Sequence, residues 1–437
     1  MGTIGILIAI ALIVILAMKG YSIVFIAPLA AIVVIVTNGM NFFPSLIGNE
    51  SSFMTGLAGF IINYFAVFLL GAILAQYIEK SGAAQAIAQK VLSITGTEKP
   101  FSVLVAILVI SAILTFGGIS LFVVLFVVIP LAKPLFKELN IAWNLVVIPI
   151  FIGIGTFTMT MMPGTPSIQN VVPTKYLGTT LTAAPLMGIV ASLVAIIVGI
   201  VYMRYALKKS IADGNTFAPY AEEKEESLAL KEKIPSFFLS ILPILLLIVI
   251  IFIGSAMKVD NIVLIGLGVA ILAAVVLFHR YIPSHKTALS LGANGSITPI
   301  FFTSAAVAFG VVITMAPGFK VISDFILGIP GNPLISLTIA SAALGAITGS
   351  SSGGLGIAME AFAQTYLDMG VNPDAMHRIS AIASSVLTGL PHSGAILSLF
   401  ALAGLNHKNS FKYAFLSMTL PITFALIVAL ILGITFY

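Results

Sequence analysis

Uncharged, strongly hydrophobic runs recur from one end of this 437-residue chain to the other, with charges confined to the short stretches between them. A run of about 20 apolar residues is long enough to cross a bilayer as one helix, so the pattern predicts an all-α, polytopic membrane protein. Composition agrees: 59% of the residues are hydrophobic and 8% charged, against about 25% charged in soluble domains. The first run, Thr3 to Ala17, lacks a basic leader and a small-residue cleavage site before the next begins at Tyr21, so it reads as a retained helix. With no cysteine in the chain, disulfides, thiolate metal sites and cysteine nucleophiles are excluded. The net charge of +5 does not imply nucleic acid as a partner, because the basic residues flank hydrophobic spans, where membrane topology puts them. The partners to expect are membrane lipid and a small solute; no cofactor or metal is expected.

Full apolar segments at about 3–18, 21–38 and 57–78 are followed by a short striped helix, Ala83 to Ser93. The uncharged run from Pro100 to Ala132 would be roughly 50 Å long as one straight helix, too long for a single span. Thr115-Phe116-Gly117-Gly118 interrupts it, which predicts a re-entrant hairpin over about 100–136. The next run, about 141–175, is broken at Met162-Pro163-Gly164-Thr165-Pro166-Ser167, where two prolines remove amide donors and clash with a continuing helix. A span from Leu181 to Tyr205 closes a first unit, 1–206.

Residues 207–234 carry the one strongly charged stretch, Glu222-Glu223-Lys224-Glu225-Glu226 among them, and read as a solvated linker. The order then returns in a second unit, 235–437: spans near 236–255, 261–279 and 296–316, a short segment at 318–328, a hairpin over about 333–368 and a broken helix over about 376–405. The second hairpin turns at Thr348-Gly349-Ser350-Ser351-Ser352-Gly353-Gly354 and the second helix breaks at Leu390-Pro391-His392-Ser393-Gly394, before a last span from Phe411 to Phe436. Each unit is expected to cross five times, once as a broken helix, and to add one hairpin; an odd number of crossings makes the two units inverted-topology repeats. Under this plan all 20 Lys and Arg except Lys175, Lys258, Lys320 and Arg378 fall on one face. That face is cytoplasmic by the positive-inside bias, which predicts both termini outside and the linker inside.

Non-helical backbone at membrane depth leaves amides and carbonyls unpaired, at several kcal/mol each unless protein, water or a solute satisfies them. Paired discontinuous helices in inverted repeats provide such a place, since half-helix N-termini attract an anion and C-terminal carbonyls a cation. The candidate binding residues are Thr115, Gly117, Gly118 and Ser120 at the first hairpin tip, and Pro163, Gly164, Thr165, Ser167, Gln169 and Asn170 at the first break. In the second unit they are Ser350, Ser351, Ser352, Gly353 and Gly354, then Thr388, Pro391, His392, Ser393 and Gly394. No fixed positive charge is expected at a break, so a carboxylate would rest on helix-end amides and hydroxyls. The alternative for any one break is that small residues merely let helices pack closely.

Gly71-Ala72-Ile73-Leu74-Ala75, Ser81 to Ala88, Thr115 to Gly118 and Met162 to Asn170 resemble the gluconate permease family (gluconate:proton symporters) of the ion transporter superfamily. The resemblance runs over nearly the whole chain and is most specific at Pro163 to Asn170. It implies an elevator-type carrier, assembled as a homodimer, that imports a sugar acid or short hydroxy acid with protons. Gluconate carriers of the family typically have an acidic residue near the first hairpin tip and a histidine at the first break. Thr-Phe-Gly-Gly-Ile-Ser and Met-Pro-Gly-Thr-Pro stand there instead, so the resemblance is to the branch associated with smaller acids such as 3-hydroxybutyrate.

Intramembrane ionisable groups are functional candidates by default. His392 in the second break titrates in a range suited to reversible protonation, and Glu360, beyond the second hairpin tip, is the other proton-coupling candidate; Asp368, Asp374 and Arg378 read as loop residues. Sodium held by carbonyls and hydroxyls at the glycine-rich tips is the alternative coupling. A cation/proton antiporter predicts buried acidic residues that the breaks lack. Gly349-Ser350-Ser351-Ser352-Gly353 matches G-x-S-x-G, but no strand precedes it as an intramembrane serine hydrolase with a nucleophile elbow would need. No phosphate loop of an ATP-driven pump occurs.

Overall fold

The computed structural model describes residues 1–95, 99–116, 121–165, 167–217, 233–257, 259 and 261–437. Every regular element among them is helical. In the first half α1 (Gly2–Met18) packs on α2 (Ile23–Thr37), followed by a short α3 (Phe42–Ile47), the long α4 (Phe53–Ser81) and α5 (Ala83–Thr95). Helices α6 (Pro100–Phe116) and α7 (Leu121–Glu138) pack side by side; a 3-10 turn at Trp143–Val146 then runs into α8 (Val147–Gly155), α9 (Phe157–Thr160), α10 (Ile168–Leu177) and α11 (Pro185–Ala212).

The second half runs α12 (Phe237–Ala256), α13 (Ile262–Leu277), α14 (His285–Met315), α15 (Pro317–Leu327), α16 (Pro333–Thr348), α17 (Ser351–Asp368), α18 (Pro373–Val386), α19 (Gly394–Ala403) and α20 (His407–Phe436). Packing between the halves is reciprocal. Helix α1 meets α15 while α12 meets α5; α2 meets α14 while α13 meets α4; α4 and α14 pack on each other, and so do α11 and α20.

Among the described residues, five helical stretches are long and apolar enough to cross a membrane: Phe53–Ser81, Trp143–Thr160, Pro185–Ala212, His285–Met315 and His407–Phe436. Their environments differ. Outer helices such as α1 and α11 leave Leu7, Ile8, Leu193 and Ile197 exposed, as side chains facing hydrocarbon would be. The stretch Trp143–Thr160 is instead 94% enclosed by protein, and every residue of α18 from Ala375 to Val386 is buried.

Several boundaries depart from the sequence reading. Helix α14 begins at His285, not near 296: Ser284 caps it by accepting from the Thr287 amide at 3.2 Å, and Gly292 lies so close to α4 that a Cβ would come within 2.6 Å of Ile73 Cα. Polar and small residues are thus used where two helices nearly touch. Helix α3 was not foreseen, and the first discontinuity opens at Met161 after a kink at Thr156 (φ −119°, ψ −106°). The second opens at Leu387, ahead of Pro391. Residues 207–212 of the expected linker continue α11; the acidic run Glu222–Glu226 lies outside the described residues.

Candidate functional site

The first break spans Met161 to Ser167. Gly164 takes a left-handed φ of +83° that glycine adopts without steric cost, which turns its amide onto the Leu181 carbonyl at 2.9 Å. Asn170, one turn into α10, donates to the carbonyls of Thr165 and Leu181, both at 2.8 Å. Ser167 occupies the N-cap position of α10 but donates back to the Met159 carbonyl instead of capping the helix.

The second break spans Leu387 to Ser393. Thr388 folds its hydroxyl onto the Ser385 carbonyl at 2.8 Å, the Ser393 amide donates to Leu390 O at 2.9 Å, and His407 Nε2 donates to Pro391 O at 2.7 Å. His392 is fully buried, and its Nε2 donates to Ala346 O of α16 at 3.1 Å. That bond ties the break to the second hairpin, whose tip is two residues long. Gly349 closes α16 at φ +60°, and Ser350 opens α17 by accepting from the Gly353 amide at 3.2 Å. A Cβ on Gly349 would sit 3.0 Å from the His392 ring, and one on Gly354 would lie 2.4 Å from Gly345 N, so glycine lets the tip rest on the break and the two arms close on each other.

A cavity of about 140 Å³ lies where these pieces meet. Three helix N-termini border it, Ile168 and Gln169 of α10, Ser351 and Ser352 of α17, and Gly394 and Ala395 of α19, and Leu121 and Phe122 of α7 lie beside them. Thr160, Thr348, Ser350, Ser385, Thr388 and Ser393 add polar edges, and the C-terminal residues Gly155 of α8, Thr160 of α9 and Thr348 of α16 face it as well. Met159, Gly349, Phe60 and Tyr64 of α4, Thr303, Ala306 and Val307 of α14 and Met418 of α20 complete the wall. Each helix N-terminus carries roughly half a positive charge. No Asp or Glu lines the cavity. Four buried side-chain atoms of the two breaks have no hydrogen-bond partner: Thr165 Oγ1, Gln169 Oε1, His392 Nδ1 and Ser393 Oγ.

Of the candidates from sequence, Gln169, Ser350, Ser351, Ser352, Thr388, Ser393 and Gly394 line this cavity. Thr115 is buried in α6 with its hydroxyl turned to Ser111 O at 2.8 Å. Pro163, Gly164, Thr165, Ser167 and Asn170 shape the first break behind the wall, as Gly353, Gly354, Pro391 and His392 shape the second. Gly117, Gly118 and Ser120, with Pro166, lie outside the described residues. Glu360 is exposed on α17 and does not line the cavity.

Two expectations are corrected. Asp368, Asp374 and Arg378 are not loop residues, the first ending α17 and the other two lying on α18, and a fixed positive charge does lie at a break. Arg378 is wholly buried within α18 and donates to the carbonyls of Ala183 (2.8 Å), Thr160 (3.3 Å) and Leu181 (3.4 Å) and to Asn170 Oδ1 (3.1 Å). Its neighbour His377, equally buried, makes the same link: Nε2 donates to Asn170 Oδ1 at 2.9 Å and Nδ1 accepts from Thr179 Oγ1 at 2.7 Å. Asn170 uses its oxygen twice as acceptor and its amide twice as donor, which orients the whole cluster. A sequence signal for this was present in Asn372-Pro373, a cap followed by a first-turn proline: Asn372 accepts from the Asp374 and Ala375 amides, which starts the helix early enough to carry Arg378 inside.

A multi-pass, all-helical membrane protein with a largely apolar cavity edged by hydroxyls between interrupted helices belongs to the class of membrane transporters. The family model of GntP family permeases matches residues 1–435, and the chain belongs to that family. It is 33% identical over 455 aligned residues to the Bacillus subtilis (strain 168) protein named uncharacterized transporter YxjC, with 94% of each chain covered. The solved structure of Neisseria gonorrhoeae MtrF, reported under a title on a class of antimetabolite efflux pumps, aligns with 88% of this chain and 82% of its own at 13% identity and a TM-score of 0.36.

Proposed function

We propose that this chain is a secondary active transporter of the cytoplasmic (inner) membrane that imports a small organic acid by symport with protons. The observation that carries the reading is the convergence of the N-termini of α10, α17 and α19 on one cavity with no carboxylate in its wall among the described residues. Their partial charges favour an anion; the unpartnered Ser393 hydroxyl can donate to its carboxylate, and the unpartnered Gln169 Oε1 can accept from the hydroxyl of a hydroxy acid. Size narrows the class. A cavity of about 150 Å³ holds a benzene-sized ligand of roughly six non-hydrogen atoms, which matches lactate or 3-hydroxybutyrate better than the longer gluconate.

The working plan is two inverted repeats, 1–206 and 235–437, around a cytoplasmic linker at 207–234, with both termini outside, a homodimeric assembly and an elevator-type movement of the hairpins and broken helices. The reciprocal packing of α1 on α15 and α12 on α5 supports the repeats. His392 is the proton carrier in this reading: one ring nitrogen is anchored on Ala346 O and the other is free to take a proton. Sodium coupling is the competing reading.

The test is uptake of labelled 3-hydroxybutyrate, lactate and gluconate into proteoliposomes, with proton and sodium gradients imposed separately. Uptake of a short acid driven by the proton gradient is expected, with His392→Gln abolishing the response to that gradient. Gln169→Leu and Ser351→Ala should each slow uptake at least ~10-fold, the scale of a lost hydrogen bond to a charged group. Full uptake in both variants defeats the site.

A further inference from the structure

We propose that Arg378 is a tethered cation: its guanidinium fills the carbonyl-lined end of the first broken helix and supplies the fixed charge that makes the adjoining cavity select an anion. The inference rests on the carrier reading of that cavity and adds to it the source of its charge preference.

The argument starts from what a buried guanidinium needs. Arginine stays protonated in proteins, and an ion taken out of water is tolerated when its donors are met and an opposite charge or strong dipoles compensate it. The donors of Arg378 are met by three backbone carbonyls and the Asn170 side chain. No carboxylate lies within 4.0 Å of it among the described residues. The acidic groups nearest in effect are Asp374, one turn earlier on α18 and only partly buried, and the terminal Tyr437. Dipoles hold the guanidinium in place but leave its net charge standing.

That charge is one peptide away from the cavity. Thr160 lines the cavity wall, and its carbonyl accepts from Arg378 Nη1 at 3.3 Å; Asn170, which also accepts from Nη1, follows the cavity-lining Gln169. The carbonyl of Thr160 belongs to the C-terminal end of α9, where a helix dipole is negative. Uncovered, that end would oppose an anion in the cavity. Arg378 reverses the sign at that end, where the helix leading into the first break stops. Because the interior screens charge far less than water, an arginine that never touches the solute still sets its affinity. It is a positioning and selectivity residue, not a direct ligand.

The experiment pairs a charged solute with a neutral copy: inhibition of labelled 3-hydroxybutyrate or lactate uptake by 3-hydroxybutyrate and by 3-hydroxybutyramide, in proteoliposomes of wild type, Arg378→Ala and Arg378→Lys. Wild type should prefer the acid over the amide. Arg378→Ala should lose at least ~10-fold of that preference, and millimolar guanidinium chloride, but not choline chloride, should restore part of it. Arg378→Lys, which keeps a tethered charge, should hold the preference within ~3-fold of wild type. A monodisperse Arg378→Ala protein with wild-type preference overturns the inference while leaving the carrier reading intact. Should Arg378→Ala fail to fold, a folded Arg378→Lys without acid preference overturns it equally. A wild type that takes up neither acid removes the carrier reading and the inference with it.

Discussion

Helices α8 and α18 hold equivalent places in the order of the two halves and both are enclosed by protein, yet they are opposite in chemistry. Helix α8, Val-Ile-Pro-Ile-Phe-Ile-Gly-Ile-Gly, has no polar side chain. Helix α18 buries His377, Arg378, Ser380, Ser384 and Ser385. A buried polar group without a partner costs about 1–3 kcal/mol, so the second arm survives only because its groups are used. His377 and Arg378 reach across to the first break, Ser384 bonds Ser351 at the second hairpin tip at 2.9 Å, and Ser380 and Ser385 fold back on their own helix. The two arms thus divide their work. Both lead into a break, and only α18 supplies side chains that hold the other's opening in shape.

The largest expected effect comes from cutting that link at its centre. Asn170→Leu strands the His377 Nε2 donor and the Thr165 carbonyl and takes one acceptor from Arg378 and one donor from the Leu181 carbonyl. Removing one partner of a buried charged cluster costs about 3–5 kcal/mol, and thermal unfolding in detergent should show a fall in Tm well beyond that of Ser384→Ala, which loses only a hydroxyl pair. Equal shifts for the two variants would mean that the cross-link between halves is not what stabilises the first break.

The glycines sharpen the same comparison. Where α6 meets α8, the close approach is made by Gly153 on the broken helix, whose Cβ would fall 2.7 Å from Leu108 O. Where α16 meets α18, it is made by Gly345 on the hairpin arm, whose Cβ would fall 1.9 Å from Ser384 O. Overpacking costs about 1–3 kcal/mol; both obstacles are backbone, which cannot rotate away, and the clash at Gly345 is the deeper by 0.8 Å. Gly345→Ala should therefore destabilise more than Gly153→Ala, and it should also slow uptake, since Ser384 bonds the tip serine Ser351. A neutral Gly345→Ala would show that the hairpin stands off α18 in the protein's resting state.

The all-helical membrane class was legible in the uncharged runs, because their length against the bilayer admits few other readings. Helix ends at Pro163 and Gly164, and at Pro391 and Gly394, have a local cause that a single sequence displays. Arg378 was misread because a charge beside a run was taken as a loop marker for topology, and that rule is blind to a charge whose partners are backbone carbonyls nearly 200 residues away in the chain. The contribution of Phe60, Tyr64 and Thr303 to the cavity was illegible for a different reason. In helices apolar on every side, periodicity does not separate a face turned to lipid from one turned to a binding space.

The smallest expected change in stability separates two serines at equivalent positions. Ser167 and Ser393 both precede a short helix that begins at a break, α10 and α19, and neither caps its helix with its side chain. The Ser167 hydroxyl is engaged by Met159 O; the Ser393 hydroxyl is buried, unpartnered and at the cavity wall. Ser167→Ala removes a made hydrogen bond and should cost about 1 kcal/mol. Ser393→Ala removes a group that already lacks its bond, so stability should change by no more than about 0.5 kcal/mol, in either direction. Uptake should rank the other way, with Ser393→Ala slowed several-fold, because a hydroxyl kept unsatisfied in the empty protein has its use only when a solute arrives. Loss of stability in Ser393→Ala with uptake unchanged would assign that hydroxyl to the fold and remove it from the site.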